Sequence, residues 1–344
     1  MVTVAESEDT KTATRQASIF DLGPGAHQCW YPVALSSQLP AGKVLGRDFA
    51  DGRIALYRGE DGVARAVSAY CKHMGADLSF GGEVLGNNIR CPYHHWAYGG
   101  DGHCSNIPSG DAIPKNATLF KFPLREQFGL IWIFFGEEPL YELQAFPDFD
   151  EEKHIARSYI SEHDTLHCEP WIFTTNIYDF VHLRFLHGVN VANTDIKDVD
   201  PYRSLMSWEA DLGAKASGGW RPEIYVCGTN SIRTIGDQGG RMKWYIAASA
   251  PLGREGTRFF FTIITTKGDG AEEFLDAQAK MHSNIQNEDV PIVNNMRLDQ
   301  FNLGKSDQPM ARFLRKVLKY PRTTLRELEK SAGRSRRPIE TANI

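Results

Sequence analysis

The stretch CPYHHWAYGGDGHC, residues 91–104, holds two cysteines and three histidines within fourteen residues. A second stretch, YCKHMGADL, lies upstream and holds one more of each residue type. Together they form the pattern Cys71-x-His73, seventeen further residues, and then Cys91-x-x-His94. Thiolates and imidazoles are ligands for zinc and for iron. The two stretches therefore predict a four-ligand metal site built from two loops.

Three interpretations of this pattern are open: a zinc site, an iron–sulfur cluster, or Cys and His placed in turns by chance. A zinc finger usually takes both cysteines from one half of the motif and both histidines from the other. Here each half supplies one cysteine and one histidine. That mixed pairing is typical of a Rieske [2Fe–2S] centre, in which two thiolates hold one iron and two imidazoles hold the other. We therefore favour the cluster.

Short β-type runs, broken by Gly, Pro, Asp and Asn, surround both loops. Examples are RIALYRG (53–59), VARAVSAY (63–70) and GLIWIFFG (129–136). Such runs predict a small all-β domain, which we bound at 27–136. The acidic stretch that follows, 137–154, contains two prolines and is typical of a connector.

Residues 155–321 combine strand and helix patterns and predict a second domain. Helical periodicity covers about 171–187 and 271–303, the second interrupted by Pro291. The strand candidates are 154–163, 204–212, 222–228, 231–237, 241–250 and 258–266. A sheet with a few helices laid on it gives an α+β domain.

The bulk composition excludes several classes of protein. The chain has 344 residues, 42% of them hydrophobic, and a net charge of −5, which gives no electrostatic basis for binding nucleic acid. The longest strongly apolar run, 128–136, is too short to span a bilayer, and 1–26 is a polar lead-in without a signal-peptide core. Six irregularly spaced cysteines are too sparse for a disulfide scaffold, so we expect reduced thiols in a cytoplasm. The end, 322–344, is predicted to be a polar tail.

The loops CKHMGADLSFGG and CPYHHWAYGGDGHC resemble the Rieske domain of the ring-hydroxylating oxygenases (large, or alpha, subunit). The resemblance covers 27–136. It implies these cluster ligands: Cys71, His73, Cys91 and His94. The family usually has glycine after the second histidine, whereas this chain has His95. Respiratory Rieske proteins carry loop cysteines where this chain has Ala76 and Tyr93, so their absence indicates the oxygenase kind.

The resemblance also implies a mononuclear iron held by two histidines and a carboxylate, a ligand set that leaves coordination positions open. The stretch TTNIYDFVHLRFLHGVN resembles the family motif for this iron, with Asp179, His182 and His187 in the expected spacing. On a regular helix the two histidines would lie about 140° apart. A π-bulge or a helix end near Leu186 would bring them together, and Gly188 is a suitable stop.

The third ligand is expected from a helical Glu–Asp pair near the C-terminal end. We predict Asp289, with Glu288 as the alternative. The resemblance gives Asp179 a bridging role: it would join a mononuclear-iron histidine to the Rieske His94 of a neighbouring subunit, which implies a head-to-tail homotrimer. Asn176 matches a position close to the iron in some monooxygenases of the family.

Two other groups of ligand-type residues have less support. The stretch SEHDTLHCE contains His163, Asp164, His167, Cys168 and Glu169. Its surroundings indicate strand and loop rather than one helical face. His103 and Cys104 fall outside the four-ligand pattern and are expected to serve in a turn or in packing.

The family implies the terminal oxygenase of a multicomponent system, in its monooxygenase or demethylase branch, with a helix-grip-like second domain. The expected partners are O2, a small hydrophobic or aromatic substrate, and an external NAD(P)H reductase or ferredoxin, because the chain lacks a dinucleotide fingerprint. No nucleic-acid or membrane partner is expected. Two alternatives stay open: the large subunit of a cis-dihydroxylating ring dioxygenase, and a non-enzymatic electron-transfer or sensing protein.

Overall fold

The computed structural model describes residues 22–161, 166–211, 219–238, 240–253, 256–297 and 301–332. The N-terminal part is all-β. Its strands are β1 (Ala26–His27), β2 (Trp30–Leu35), β3 (Val44–Phe49), β4 (Gly52–Arg58), β5 (Ala64–Ser68), β6 (Glu83–Leu85), β7 (Asn88–Arg90), β8 (Ala97–Tyr98), β9 (Cys104–Asn106), β10 (Leu124–Gln127) and β11 (Leu130–Phe134). All of them except β1 form three antiparallel sheets with the orders β10-β11-β2, β3-β4-β5 and β6-β7-β8-β9.

The second part has an eight-stranded antiparallel sheet in the order β12-β19-β18-β17-β16-β14-β13, with β15 paired to β14. Its strands are β12 (His154–Ile160), β13 (Asn190–Asp198), β14 (Arg203–Asp211), β15 (Gly219–Trp220), β16 (Glu223–Cys227), β17 (Ser231–Gln238), β18 (Arg241–Pro251) and β19 (Thr257–Thr266). The α-helices are α1 (Pro170–Thr175), α2 (Phe180–Phe185), α3 (Ala271–Asn294), α4 (Gln308–Lys319) and α5 (Leu325–Ala332). The α+β prediction is confirmed.

The central strand β18 explains how the two parts join. Successive side chains of a strand point to opposite faces. On one face, Trp244 and Ile246 are buried in a core that includes Trp30 and Trp132 of the N-terminal part. On the other face, Lys243 and Tyr245 line a cavity under α3. The sheet is therefore covered on both sides, which accounts for the nearly continuous burial of β18.

The helix predicted over 171–187 is divided into α1, a 3₁₀ turn over Asn176–Tyr178, and α2. The break falls at Asp179, whose backbone leaves the helical region (φ −98°, ψ 84°) and whose carboxylate caps α2. The second predicted helix was expected to break at Pro291, and this is wrong. Pro291 lies inside α3, which ends three residues later at Asn294, so the missing N–H disturbs only the final turn.

The segment predicted as a polar tail begins with structure. A strand, β20 (Arg322–Thr323), pairs with β1, and α5 follows it. Leu325 and Leu328 are buried in the core shared with the N-terminal part. Their three-residue spacing places both on one helix face. The domain boundaries given above stay predictions. Across the ranges that the structure describes, no helix has the length and apolarity needed to cross a membrane.

Candidate functional site

The four predicted cluster residues lie in two adjacent loops, one between β5 and β6 and the other between β7 and β8. Cys71 and Cys91 are buried, whereas His73 and His94 are exposed. The two imidazole rings lie 4.5 Å apart, centroid to centroid, at 74°. The loops thus bring the histidines together at the surface, with the cysteines beneath them. These residues fit a Rieske [2Fe–2S] cluster, in which the two cysteines would hold one iron and the two histidines the other.

Neighbouring groups hold these loops in place. The Tyr98 hydroxyl lies 3.1 Å from the Cys71 sulfur and accepts a hydrogen bond from the Lys72 backbone N–H at 3.0 Å. Trp96 stacks on the His73 ring at 4.7 Å and 6°. Burial raises the pKa of the Cys71 thiol, although the Tyr98 hydrogen bond opposes that shift. Metal binding would therefore be required to hold this sulfur as a thiolate at neutral pH.

His95 occupies a strained position. Its φ is +60°, in the left-handed region that favours glycine, and its side chain is exposed. This gives a backbone reason for the glycine that the family usually carries after the second histidine. Its neighbours His103 and Cys104 have ordinary contacts: the His103 ring lies 2.9 Å from the Thr118 hydroxyl, and Cys104 is buried in the core of this part.

A second cluster lies in the C-terminal part. One ligand atom each from His182, His187 and Asp289 lie within 4.8 Å of one another. The carboxylate oxygen Oδ1 of Asp289 is 3.8 Å from Nε2 of His182 and 3.1 Å from Nε2 of His187. His187 and Asp289 are buried. The three groups could hold one metal ion and would leave further coordination positions open.

The local backbone explains how two histidines five residues apart reach one point. Helix α2 carries His182 and ends at Phe185, and Leu186 caps it. The chain then turns through Gly188, whose φ is +69°. This helix end moves His187 off the helical path, on which it would point away from His182.

The outer ring nitrogens are also engaged. Nδ1 of His182 lies 2.7 Å from the backbone carbonyl oxygen of Asp179, and Nδ1 of His187 lies 2.7 Å from Oε2 of Glu288. Both Nε2 atoms are left to face Asp289. Burial alone would lower the pKa of His187, but the adjoining carboxylates of Asp289 and Glu288 raise it above its usual value. Glu288 therefore contacts the outer nitrogen of His187, and Asp289 is the carboxylate that faces both Nε2 atoms.

Asp179 acts first as a helix cap. Its Oδ1 accepts hydrogen bonds from the backbone N–H groups of Val181 at 3.1 Å and His182 at 3.0 Å. Its contact with the His182 ring is made by the main-chain carbonyl rather than by the carboxylate. The side chain is partly exposed, so a further partner can reach it.

An apolar cavity of about 200 Å³ opens beside the three-residue cluster. It lies between the sheet and α3. Its apolar lining includes Phe173, Ile177, Leu183, Val189, Trp208, Ile224, Ile232, Ala247, Phe261 and Ile285. Asn176 and His182 line it as well. Sequence reasoning left the location of this pocket open, because strand order decides which aromatic residues face it.

The alternative group, SEHDTLHCE, shows no site within the described residues. His163 and Asp164 lie outside them. His167 is exposed, and Cys168 lies in the core of the second part. Glu169 forms an ion pair with Arg322 at 2.9 Å, which fastens α1 to the returning C-terminal segment.

Sequence reasoning missed a polar group at the other end of the cavity. Lys243 of β18 is 3% exposed, and its ammonium donates to Oε1 of Gln278 at 2.7 Å. It also lies 3.0 Å from Nε2 of His282. The available signal was the polar spacing of Gln278, His282 and Gln286 along one face of α3.

Comparison with known proteins agrees with this architecture. The family model "Rieske [2Fe-2S] domain" matches residues 29–122. Cholesterol 7-desaturase of Bombyx mori is 40% identical over 132 residues, which cover 38% of this chain and 29% of that protein. The oxygenase component of dicamba O-demethylase from Stenotrophomonas maltophilia is 35% identical over 170 residues, 49% of each chain. The chain thus spans less than half the length of these relatives.

Solved structures extend the likeness to the whole fold. Dicamba monooxygenase bound to dicamba superposes with a TM-score of 0.64 at 20% identity, covering 90% of this chain and 99% of that one. The form with non-heme iron and dicamba gives 0.57 at 21% identity, covering 89% and 97%.

The matched domain, followed by a helix-covered antiparallel sheet, defines the class: a Rieske [2Fe–2S] protein with a second, sheet-and-helix domain. Beyond that domain, the chain is similar to the oxygenase component of dicamba O-demethylase in sequence and to dicamba monooxygenase in fold.

Proposed function

We propose that this chain is the terminal oxygenase of a multicomponent Rieske system. Electrons would come from an external NAD(P)H reductase, directly or through a ferredoxin. With O2 they would hydroxylate a small hydrophobic or aromatic substrate, or remove an N- or O-alkyl group from it. One observation carries the proposal: His182, His187 and Asp289 converge at the wall of an apolar cavity, as a mononuclear oxygenase site requires.

The donor set fits iron. Two imidazoles and one carboxylate are the ligands of non-heme Fe(II) oxygenases and leave adjacent positions open. When bound, the iron would supply O2 activation next to the substrate. The chain's own contribution is orientation: the Asp179 carbonyl and Glu288 fix the outer ring nitrogens, and so hold both Nε2 atoms toward the metal position.

The overall reaction balances with the proposed partners. Inserting one oxygen atom into a C–H bond consumes O2, two electrons and two protons, and releases one water. If the hydroxylated carbon is bonded to N or O, the product breaks down to an aldehyde and the dealkylated amine or alcohol. The apolar wall keeps bulk water away from the reacting carbon.

The size of the cavity favours a compact substrate. An engineered cavity of about 150 Å³ holds benzene, so about 200 Å³ accommodates one substituted aromatic ring better than a sterol. Two of the relatives are named after dicamba and cholesterol. The size of the cavity supports a substrate closer in size to dicamba than to cholesterol.

Exposed apolar side chains near both centres support a homotrimer in which electrons pass between subunits. Met74 and Tyr93, beside the cluster loops, are 66% and 63% exposed, and Phe185 of α2 is 79% exposed. Such residues usually mark contact surfaces when they gather in one patch. In the proposed assembly, His94 of one subunit lies next to Asp179 of the neighbouring subunit. We place this assembly in the cytoplasm.

The test is turnover of the reconstituted protein. With a generic reductase, ¹⁸O₂ and a panel of aromatic and N-methyl or O-methyl substrates, we expect mass spectra to show one labelled oxygen per hydroxylation. His182→Ala should abolish turnover, whereas His167→Ala, at an exposed histidine of the same part, should not. A diol labelled at both oxygens would indicate a dioxygenase, and undiminished turnover in His182→Ala would rule out this site.

A further inference from the structure

A lysine is buried in the apolar cavity, apart from the predicted ligands of the mononuclear iron. Lys243 is 3% exposed, and the hydrogen-bond partners of its ammonium among the described residues are neutral: Oε1 of Gln278 at 2.7 Å, Nε2 of His282 at 3.0 Å and Oε1 of Gln238 at 3.4 Å. The ring of Tyr245 lies beneath it, 5.0 Å from the nitrogen to the ring centroid. Within the described residues, no carboxylate forms an ion pair with this nitrogen.

An unpaired buried ammonium is costly, because charges lose their hydration on burial. Burial lowers the pKa of Lys243 to about 7, and burial together with the Lys243 charge lowers the pKa of His282 well below its usual value. The neutral ring of His282 can therefore accept a hydrogen bond from the ammonium, but it cannot compensate the charge. An anion placed in the cavity would do so.

A second buried donor belongs to a residue that lines the same cavity. Gln286 is 3% exposed and lines the cavity, and its Oε1 accepts a hydrogen bond from the Ser161 hydroxyl at 2.9 Å. Its Nε2 has no hydrogen-bond partner within the described residues. Buried amide N–H groups are almost always satisfied, so this one also indicates a missing acceptor.

Helix α3 sets the distance between the two ends. His282, beside Lys243, and Asp289, in the metal cluster, are seven residues apart on the same helix. At 1.5 Å per residue this is about 10 Å along the axis. A para-substituted aromatic ring is of this length.

We propose that Lys243, with Gln286, is the specificity-determining anchor of the substrate pocket, and that it selects substrates with a carboxylate at the end opposite to the oxidised carbon. The assignment of the oxidised end rests on the oxygenase function proposed above. The anchor itself does not rest on that function, because Lys243 would bind a carboxylate whether or not the metal sites hold iron.

The test compares a carboxylate with its uncharged analogue. In the purified 344-residue chain, we expect 4-methoxybenzoate to bind at least tenfold more tightly than 4-methoxytoluene by isothermal calorimetry at pH 7. Lys243→Met should abolish this preference and leave the affinity for 4-methoxytoluene within about threefold. Lys280→Met is the matched control, since it removes an exposed lysine of α3 and should keep the preference.

Gln286→Leu gives an independent readout if Lys243→Met does not fold: it should reduce the preference about threefold or more. Equal or weaker binding of the carboxylate in the unaltered protein would overturn the proposal, as would failure of the carboxylate to bind at millimolar concentration. Carboxylate binding through Lys243 without any O2-dependent product would instead refute the oxygenase function and leave the anchor standing.

Discussion

At the scale of single residues, adjacent side chains have separate tasks. Glu288 and Asp289 are neighbours in sequence and lie about 100° apart around α3. That rotation sends Asp289 to Nε2 of His187 and Glu288 to Nδ1 of the same ring. The sequence, with the family resemblance, could propose Asp289 over Glu288. It could not assign Glu288 its contact, because that depends on where α2 ends.

Lys243 permits a prediction about stability. Its pKa is about 7 in the folded protein and 10.5 for the free side chain. Between these values the unfolded chain binds more protons, so this residue makes stability rise with pH. Lys243→Met should therefore be more stable at pH 7, by about 1–3 kcal/mol after the loss of its hydrogen bonds. The advantage should shrink by pH 9.

Urea unfolding at pH 7 and pH 9 measures this difference. His282 stays neutral and Tyr245 stays protonated over that range, since burial lowers the pKa of the first and raises that of the second. The control is again Lys280→Met, which should change little at either pH. A less stable Lys243→Met protein at pH 7 would show that the buried ammonium is well compensated in the free protein.

At the scale of elements, the break between α1 and α2 positions His182 in the group that it forms with His187 and Asp289. Periodicity predicted one helix over 171–187, because the apolar spacing continues through the break. Asp179 decides otherwise: it caps α2 with its side chain and holds His182 with its carbonyl. The strands predicted from β-type runs lie close to the strands in the structure, because tertiary packing did not override the local preference of those runs. The passage of α3 through Pro291 and the docking of α5 depend on contacts distant in sequence.

Asp179→Asn separates the two roles of this residue. Asparagine caps a helix as well as aspartate does, so the melting temperature and the binding of both metals should be unchanged. Turnover should fall at least tenfold if the carboxylate carries electrons between centres. Asp179→Ala provides the contrast, since loss of the cap should also cost about 1 kcal/mol of stability. Unchanged turnover in Asp179→Asn would refute the bridging role.

At the scale of the whole molecule, the proposed trimer relates the two centres. Phe185→Asp places a charge on an apolar residue of α2 that is 79% exposed, and it should shift the protein toward monomer in light scattering. The rate of electron transfer to the mononuclear iron should decrease as the trimer dissociates. Val63→Asp, at an exposed apolar residue in the turn after β4, is the control and should leave assembly unchanged. A trimer that persists in Phe185→Asp would move the interface away from α2.

The most direct test of two metal centres in one chain is iron content combined with electron paramagnetic resonance. The reconstituted protein should hold about three irons per chain, two in the Rieske cluster and one in the mononuclear site. Asp289→Ala should lose one iron and keep the signal of the reduced cluster, whereas Glu288→Ala should keep all three with metal affinity weakened about 10–100-fold. Iron content unchanged in Asp289→Ala and reduced in Glu288→Ala would contradict this account.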